Sequence, residues 1–173
     1  VTNWGQTMLK QGAGFAPTVA ANIIMINTIC GIITGFLLAF ILKKLSLKQV
    51  TYISFTLFGI ALAMLTFFFT KLGVTGFSIA YAMMGLGASF EISSLFAIAR
   101  NMVTSKNNGT VVGLLNFIAW LLGASVSTTI WGKIIDSTYS SGSFQKAVLM
   151  QLIILAVGFV CFLFVKDKTI PAL

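Results

Sequence analysis

The chain is predicted to be an all-α membrane protein, a polytopic bundle of transmembrane helices, and three observations predict it. Of 173 residues, 58% are hydrophobic and only 8% are charged, with a mean hydropathy of +1.02. A soluble domain of this size has too little interior to hide that much apolar surface. The apolar residues also fall into five runs, 20–42, 50–70, 77–99, 110–131 and 147–165. Each is close to the roughly 20 residues that a helix needs to cross the hydrocarbon core. None shows the short alternation of a barrel strand.

Taken in order, residues 1–16 are too short to span and contain Gly5, Gly12 and Gly14. They read as the end of a truncated helix and its outer loop, with Val1 as a cut end. Pro17 suits the first turn of the next helix. Residues 43–49 turn the chain on one side of the membrane and 71–76 on the other. A longer polar loop, 100–109, ends in the breakers Asn107, Asn108 and Gly109. The Ser- and Gly-rich stretch 136–144 separates the last two runs. The whole of 1–173 thus reads as a single transmembrane unit without a soluble domain.

The net charge of +8 is carried by eleven basic residues scattered between the runs, which reads as topology and head-group anchoring rather than nucleic-acid binding. Five crossings put Lys43, Lys44, Lys48, Arg100, Lys106, Lys166 and Lys168 on one side. Lys10, Lys71, Lys133 and Lys146 fall on the other. Seven against four places the first side, and the C-terminus, in the cytoplasm. Cys30 and Cys161 lie inside apolar runs, where they act as small hydrophobes. There is no histidine, which removes the usual zinc sites and imidazole-based catalysis. No metal, no cofactor and no enzymatic activity are expected.

Polar residues divide the runs. The second has only hydroxyl-bearing polar side chains, which can bond to their own helix backbone, and the fifth has one strong polar group, Gln151. This pair is expected to face lipid and to screen an inner set carrying Asn22 and Asn27, Glu91, and Asn116. Glu91 is the only acidic residue inside a long apolar run. A carboxyl group there costs about 2.5–3.5 kcal/mol on insertion scales, so it needs a partner, a proton or water.

A rotation of about 100° per residue defines the inner faces. Ala80, Met84, Gly87, Ala88, Glu91 and Ser94 share one side of the third run, and Gly113, Asn116, Trp120, Gly123 and Ser127 share a stripe on the fourth. Asn27, Gly31 and Thr34 share a side of the first, where Gly31 and Gly35 form a G-x-x-x-G spacing that lets helices approach closely. The glycines read as packing positions. Asn27 and Asn116 fit interhelical hydrogen bonds as well as they fit a ligand. Trp120 sits mid-span and fits a cavity wall, whereas Trp4 and Trp131 fit the interfacial belt.

From Gly76 the chain runs as a Gly-rich span and then FAIARNMVTSKNNGTVVGLLNFIAWLLGASVSTTIWGKIID, punctuated by Gly109, Thr110, Gly113, Asn116, Gly132 and Asp136. It resembles the tenth and eleventh helices of major facilitator superfamily transporters. The opening WGQTMLKQGAGFAPTVAANIIMINTICGIITG is similar to the end of the seventh helix followed by the eighth. The resemblance implies that the runs are helices eight to twelve of twelve, with the C-terminus inside and the N-terminal half of the same transporter missing. It also implies that helices seven and ten line the cavity, eight and eleven flank it, and nine and twelve face lipid. One departure stands out. The family's Gly-x-x-x-Asp-Arg-x-Gly-Arg loop is degenerate here as AFILKKLSLK, with Leu42 at the Asp position and Lys43, Lys44 and Lys48 keeping the positive charge.

The function expected is secondary transport of a small polar solute by alternating access across a bacterial cytoplasmic membrane. Glu91 would couple protons or gate. Asn27, Asn116, Trp120 and Ser127 would hold the solute, and Gly31, Gly35, Gly87, Gly113, Gly123 and Asp136 would serve packing or gating. The partners expected are the lipid bilayer, the missing half, the solute and protons. The alternative is a non-transporting membrane scaffold or assembly subunit.

Overall fold

A glycine and a proline set the first boundary. In the computed structural model, which describes residues 2–135 and 140–165, helix α1 (Thr2–Thr7) runs on through a wider π-helical turn, Met8–Gly12. Gly14 then takes φ +73°, a left-handed conformation costly for any residue with a Cβ. Ala16 is extended ahead of Pro17, as the proline ring requires. Pro17 opens α2 (Pro17–Ile41) where its missing N–H is no loss.

The α2–α3 turn is fixed by the sequence Ser-Leu-Lys-Gln. Ser46 Oγ accepts from the Gln49 N–H at 3.2 Å, and the Ser46 N–H donates to Gln49 Oε1 at 2.9 Å. This reciprocal pair satisfies two otherwise orphaned donors at the start of α3 (Leu47–Phe67). A short turn, Phe69–Lys71, leads to α4 (Val74–Asn101) of 28 residues, long enough to exceed the hydrocarbon thickness of about 30 Å. After a second turn, Ser105–Asn107, come α5 (Asn108–Ile118), a π-helical stretch Ala119–Val126, and α6 (Ser127–Ile134). Last is α7 (Ser141–Leu163), capped by Ser140 Oγ accepting from the Ser143 N–H at 3.2 Å. The described residues hold no strand, and the all-α polytopic class stands.

Helix α4 lies between α2 and α3, and α3 lies between α4 and α7. Two glycines explain the sandwich. A Cβ on Gly85 would run into the Asn27 main-chain carbonyl of α2, and one on Gly87 would sit 2.9 Å from the Phe58 nitrogen and 3.0 Å from the Ser54 carbonyl oxygen of α3. Two residues apart is about 200° of rotation, so each glycine opens an opposite face of α4 to close approach. The α3–α4 seam adds a buried hydroxyl chain: Thr51 Oγ1 donates to Ser94 Oγ (2.7 Å), and Ser94 donates to the Phe90 carbonyl (2.7 Å). Across the other side of α3, Tyr52 and Phe55 meet Phe159 and Phe162 with ring centroids 5.4–5.9 Å apart. The N-terminal segment closes one end. A Cβ on Gly12 would reach 2.5 Å from the Phe144 ring, and Phe77 stands edge-on to both Phe15 and Phe69 at 5.2 Å.

Three details depart from the sequence reading. The described residues contain four helices long and apolar enough to cross a membrane, α2, α3, α4 and α7. The expected fourth run, 110–131, is helical, but its hydrogen bonding widens to i→i+5 over Ala119–Val126, so no single α-helix of spanning length forms there. Helix α3, expected on the lipid side, has 44% of its apolar stretch buried against 17% for α7, because it is held between two helices. Its hydroxyls are spent on the seam with α4 and on its own backbone. Trp131 is 1% exposed, packed into the end cluster with Met8, Phe77 and Phe144 rather than standing in an interfacial belt.

Candidate functional site

Helix geometry separates the candidate residues onto different faces of α4. Asn27 Nδ2 donates to the Tyr81 carbonyl at 2.9 Å, stitching α2 to α4 one turn before Gly85. Gly31, one turn further along α2, leaves room for Ser89: a Cβ on Gly31 would lie 3.0 Å from Ser89 Oγ. Gly35 has nothing within 4 Å of its Cβ position. Only the first glycine of the G-x-x-x-G pair is therefore used between these helices.

Beyond Gly85 a groove of about 510 Å³ opens between α2 and α4, walled by Asn27, Thr28 and Ser89, with Phe58 of α3 and Gln151 of α7 reaching in. Among the described residues no charged side chain lines it. Thr28 Oγ1 donates to the Ile24 carbonyl of its own helix at 3.3 Å, and Gln151 Oε1 is buried without a hydrogen-bond partner among the described residues. Sequence reasoning put Gln151 on the lipid side and passed over Gly85 and Ser89. The Gly85-x-Gly87 spacing was the available signal, since two glycines at that separation open two faces.

Glu91 is half-buried and lies just outside this groove. It sits about 40° around α4 from Gly87, at the margin of the face that packs on α3. Among the described residues its carboxylate has neither a hydrogen-bond nor an ion-pair partner, the Ser94 hydroxyl reaching only its main-chain oxygen at 3.2 Å. Arg100, half a rotation away on the same helix, is exposed. Of the stripe assigned to Glu91, Gly87 and Ser94 serve the α3 seam, while Met84 and Ala88 line the groove.

The fourth-run candidates stand apart. Asn116 and Trp120 are exposed, Trp120 at 66%, and the Cβ positions of Gly113 and Gly123 meet nothing within 4 Å. The structure does not bring these residues to Asn27 or Glu91. Asp136 and the side chain of Ser127 lie outside the described residues, as do Lys166 and Lys168. Of the loop cations, Lys43 stands 5.6 Å over the Phe40 ring and Lys44 is exposed. Lys48 Nζ donates to the Val165 carbonyl at 2.7 Å, a cation at the negative end of α7. Among the described residues no cluster of three or more His, Cys, Asp or Glu side chains is arranged to hold a metal.

The model of the Major Facilitator Superfamily aligns with residues 3–172. No curated protein and no solved structure matches.

Proposed function

The chain belongs to the Major Facilitator Superfamily and is an integral membrane protein; from that premise we infer that it forms the C-terminal part of a secondary transporter. In this reading it moves a small polar solute by alternating access, two helical bundles rocking about a mid-membrane site. α2, α3, α4, the 108–134 segment and α7 would be helices eight to twelve, with α1 the end of the seventh. The N-terminal half of the same protein supplies the other wall of the path. The membrane is a bacterial cytoplasmic membrane, and the seven-to-four distribution of basic residues puts the C-terminus inside.

The observation that carries the coupling role is the Glu91 carboxylate. It lies in a spanning helix, half-buried, without a cationic partner among the described residues. An intramembrane carboxylate in that setting takes up and releases a proton or waits for a cation from elsewhere in the protein. Either behaviour couples its charge to the conformation of α4. Asn116 and Trp120, both exposed, contribute with Ser127 to the solute path once the second half covers them.

The test is uptake by the full-length protein in liposomes with and without an imposed proton gradient. Glu91→Gln is expected to abolish the gradient's stimulation of uptake while solute exchange continues. Unchanged stimulation removes Glu91 from coupling. A scaffold, by contrast, gives no solute-dependent flux in either protein.

A further inference from the structure

Helices α3 and α7 leave a second groove of about 190 Å³ between them, walled by Phe55, Thr56 and Gly59 on α3 and by Leu152, Ala156 and Phe159 on α7. Gly59 opens it: a Cβ there would rest 3.7 Å from Leu155 Cδ2, in ordinary contact, and the space a longer side chain would fill is left as a trough. Thr56 lies about 140° around α3 from Thr51, which bonds to Ser94 of α4. Both Thr56 and Ala156 are exposed, so the groove opens outward from the bundle. Its one polar side chain, Thr56, spends its hydroxyl proton on the Tyr52 carbonyl at 2.9 Å. The lining thus offers no free donor to a polar solute, and the volume is below the roughly 300–1,000 Å³ of small-solute pockets. In a bilayer such a trough suits a stretch of acyl chain.

The end of the same seam holds headgroup chemistry. Lys48, Tyr52, Phe55 and Gly59 recur at helical spacing and form one stripe of α3. Lys48 Nζ donates to the Val165 carbonyl beyond α7 at 2.7 Å and keeps two further N–H donors. One turn deeper, the Tyr52 ring stands edge-on to Phe159 and Phe162, and its hydroxyl makes no hydrogen bond among the described residues. Helical side chains lean toward the N-terminus of their helix, which for Tyr52 is the Lys48 end. At 1.5 Å per residue, Phe55 to Gly59 lie about 10–17 Å below Lys48, a depth matching one leaflet, about half of the 30 Å hydrocarbon core. Charge then selects the headgroup. Lys43, Lys44, Lys48, Arg100 and Lys106 stand at this end of the bundle, and no Asp or Glu among the described residues does; Asp167, outside them, is flanked in sequence by Lys166 and Lys168. A phosphate meets cations here, whereas the ammonium of a zwitterionic lipid meets no described carboxylate. We propose that the α3–α7 seam binds an anionic phospholipid, its phosphate on Lys48 and Tyr52 and one acyl chain along the Gly59 groove. This site does not depend on the transport reading.

The experiment equilibrates the full-length protein in detergent micelles carrying equal amounts of phosphatidylglycerol and phosphatidylcholine of the same chain length, and counts the retained lipids by native mass spectrometry. Lys48→Arg, Lys48→Met and Ala156→Leu are compared with the wild type, with Lys43→Met as a charge control outside the seam. The unfolding midpoint of each is recorded. Phosphatidylglycerol should be retained over phosphatidylcholine by about fivefold, the worth of one lysine at an anionic lipid surface. Lys48→Arg and Lys43→Met should keep that preference and Lys48→Met should lose it. Ala156→Leu fills the groove from an exposed position, and should lower phosphatidylglycerol retention with an unfolding midpoint at or above wild type. Equal retention of the two lipids by the wild type overturns the proposal. So does a preference that survives Ala156→Leu and falls equally in Lys43→Met and Lys48→Met, which assigns it to diffuse attraction at a basic surface.

Discussion

Gly85→Ala tests the α2–α4 interface most directly, because the atom that a methyl group would strike is main chain. A Cβ at position 85 overlaps the Asn27 carbonyl oxygen and crowds the Asn27 carbonyl carbon at 3.0 Å and Cys30 Cβ at 3.1 Å. No change of rotamer relieves it, so the helices must part. Overpacking of this kind costs about 1–3 kcal/mol, and the upper part of that range applies where backbone meets backbone. Parting also weakens the Asn27–Tyr81 bond, and interhelical hydrogen bonds in membranes average about 0.6 kcal/mol with a maximum near 1.7. Replacing glycine in a helix returns about 1 kcal/mol. The net expectation is a loss of about 2 kcal/mol. Gly35→Ala is the internal control, since nothing lies within 4 Å of its Cβ position and only the gain of up to about 1 kcal/mol remains. The two variants should differ by about 3 kcal/mol in reversible unfolding of the full-length protein in mixed micelles. Equal stabilities, or a reversed order, would refute the placement of Gly85 against Asn27.

Other expectations follow from single contacts. Thr51→Val breaks the hydroxyl chain to Ser94 while keeping its shape, and should cost about 1 kcal/mol in the same unfolding assay; Thr56→Val, whose hydroxyl serves only the Tyr52 carbonyl on an exposed position, should cost less. Lys48→Met removes the cation bonded to Val165 O. It should lower stability by about 0.5–1 kcal/mol and expose the end of α7 to limited proteolysis, and unchanged cleavage rates would show that the contact does not hold that end.

Much of the architecture was legible in composition because solvent chooses it. Eight per cent charged residues leave apolar runs no soluble home, and a bilayer obliges each run to satisfy its own backbone as a helix. Turn chemistry was equally local: Gly14, Pro17 and the Ser46–Gln49 box mark boundaries through their own backbone conformations and hydrogen bonds. The expected stripe containing Glu91 was only half informative. Periodicity correctly grouped residues by angle, but it carries no information about which helix fills the space at that angle. Gly87 and Ser94 turned out to face α3, and Gln151, dismissed as a lone polar group in a lipid-facing run, reaches the groove.

The sequence by itself determined a membrane-embedded all-α chain, the resemblance that the family match bears out, and Glu91 as the costly carboxylate among apolar neighbours. Those follow from transfer free energies and local geometry, which each residue carries wherever it is placed. Only the tertiary structure decided that α4 is the middle of a sandwich, that Asn27 donates to the Tyr81 carbonyl, and that Gln151 reaches the groove between α2 and α4. Those depend on which main-chain atoms come within a few ångströms of one another across helices, and no spacing along a single helix encodes that.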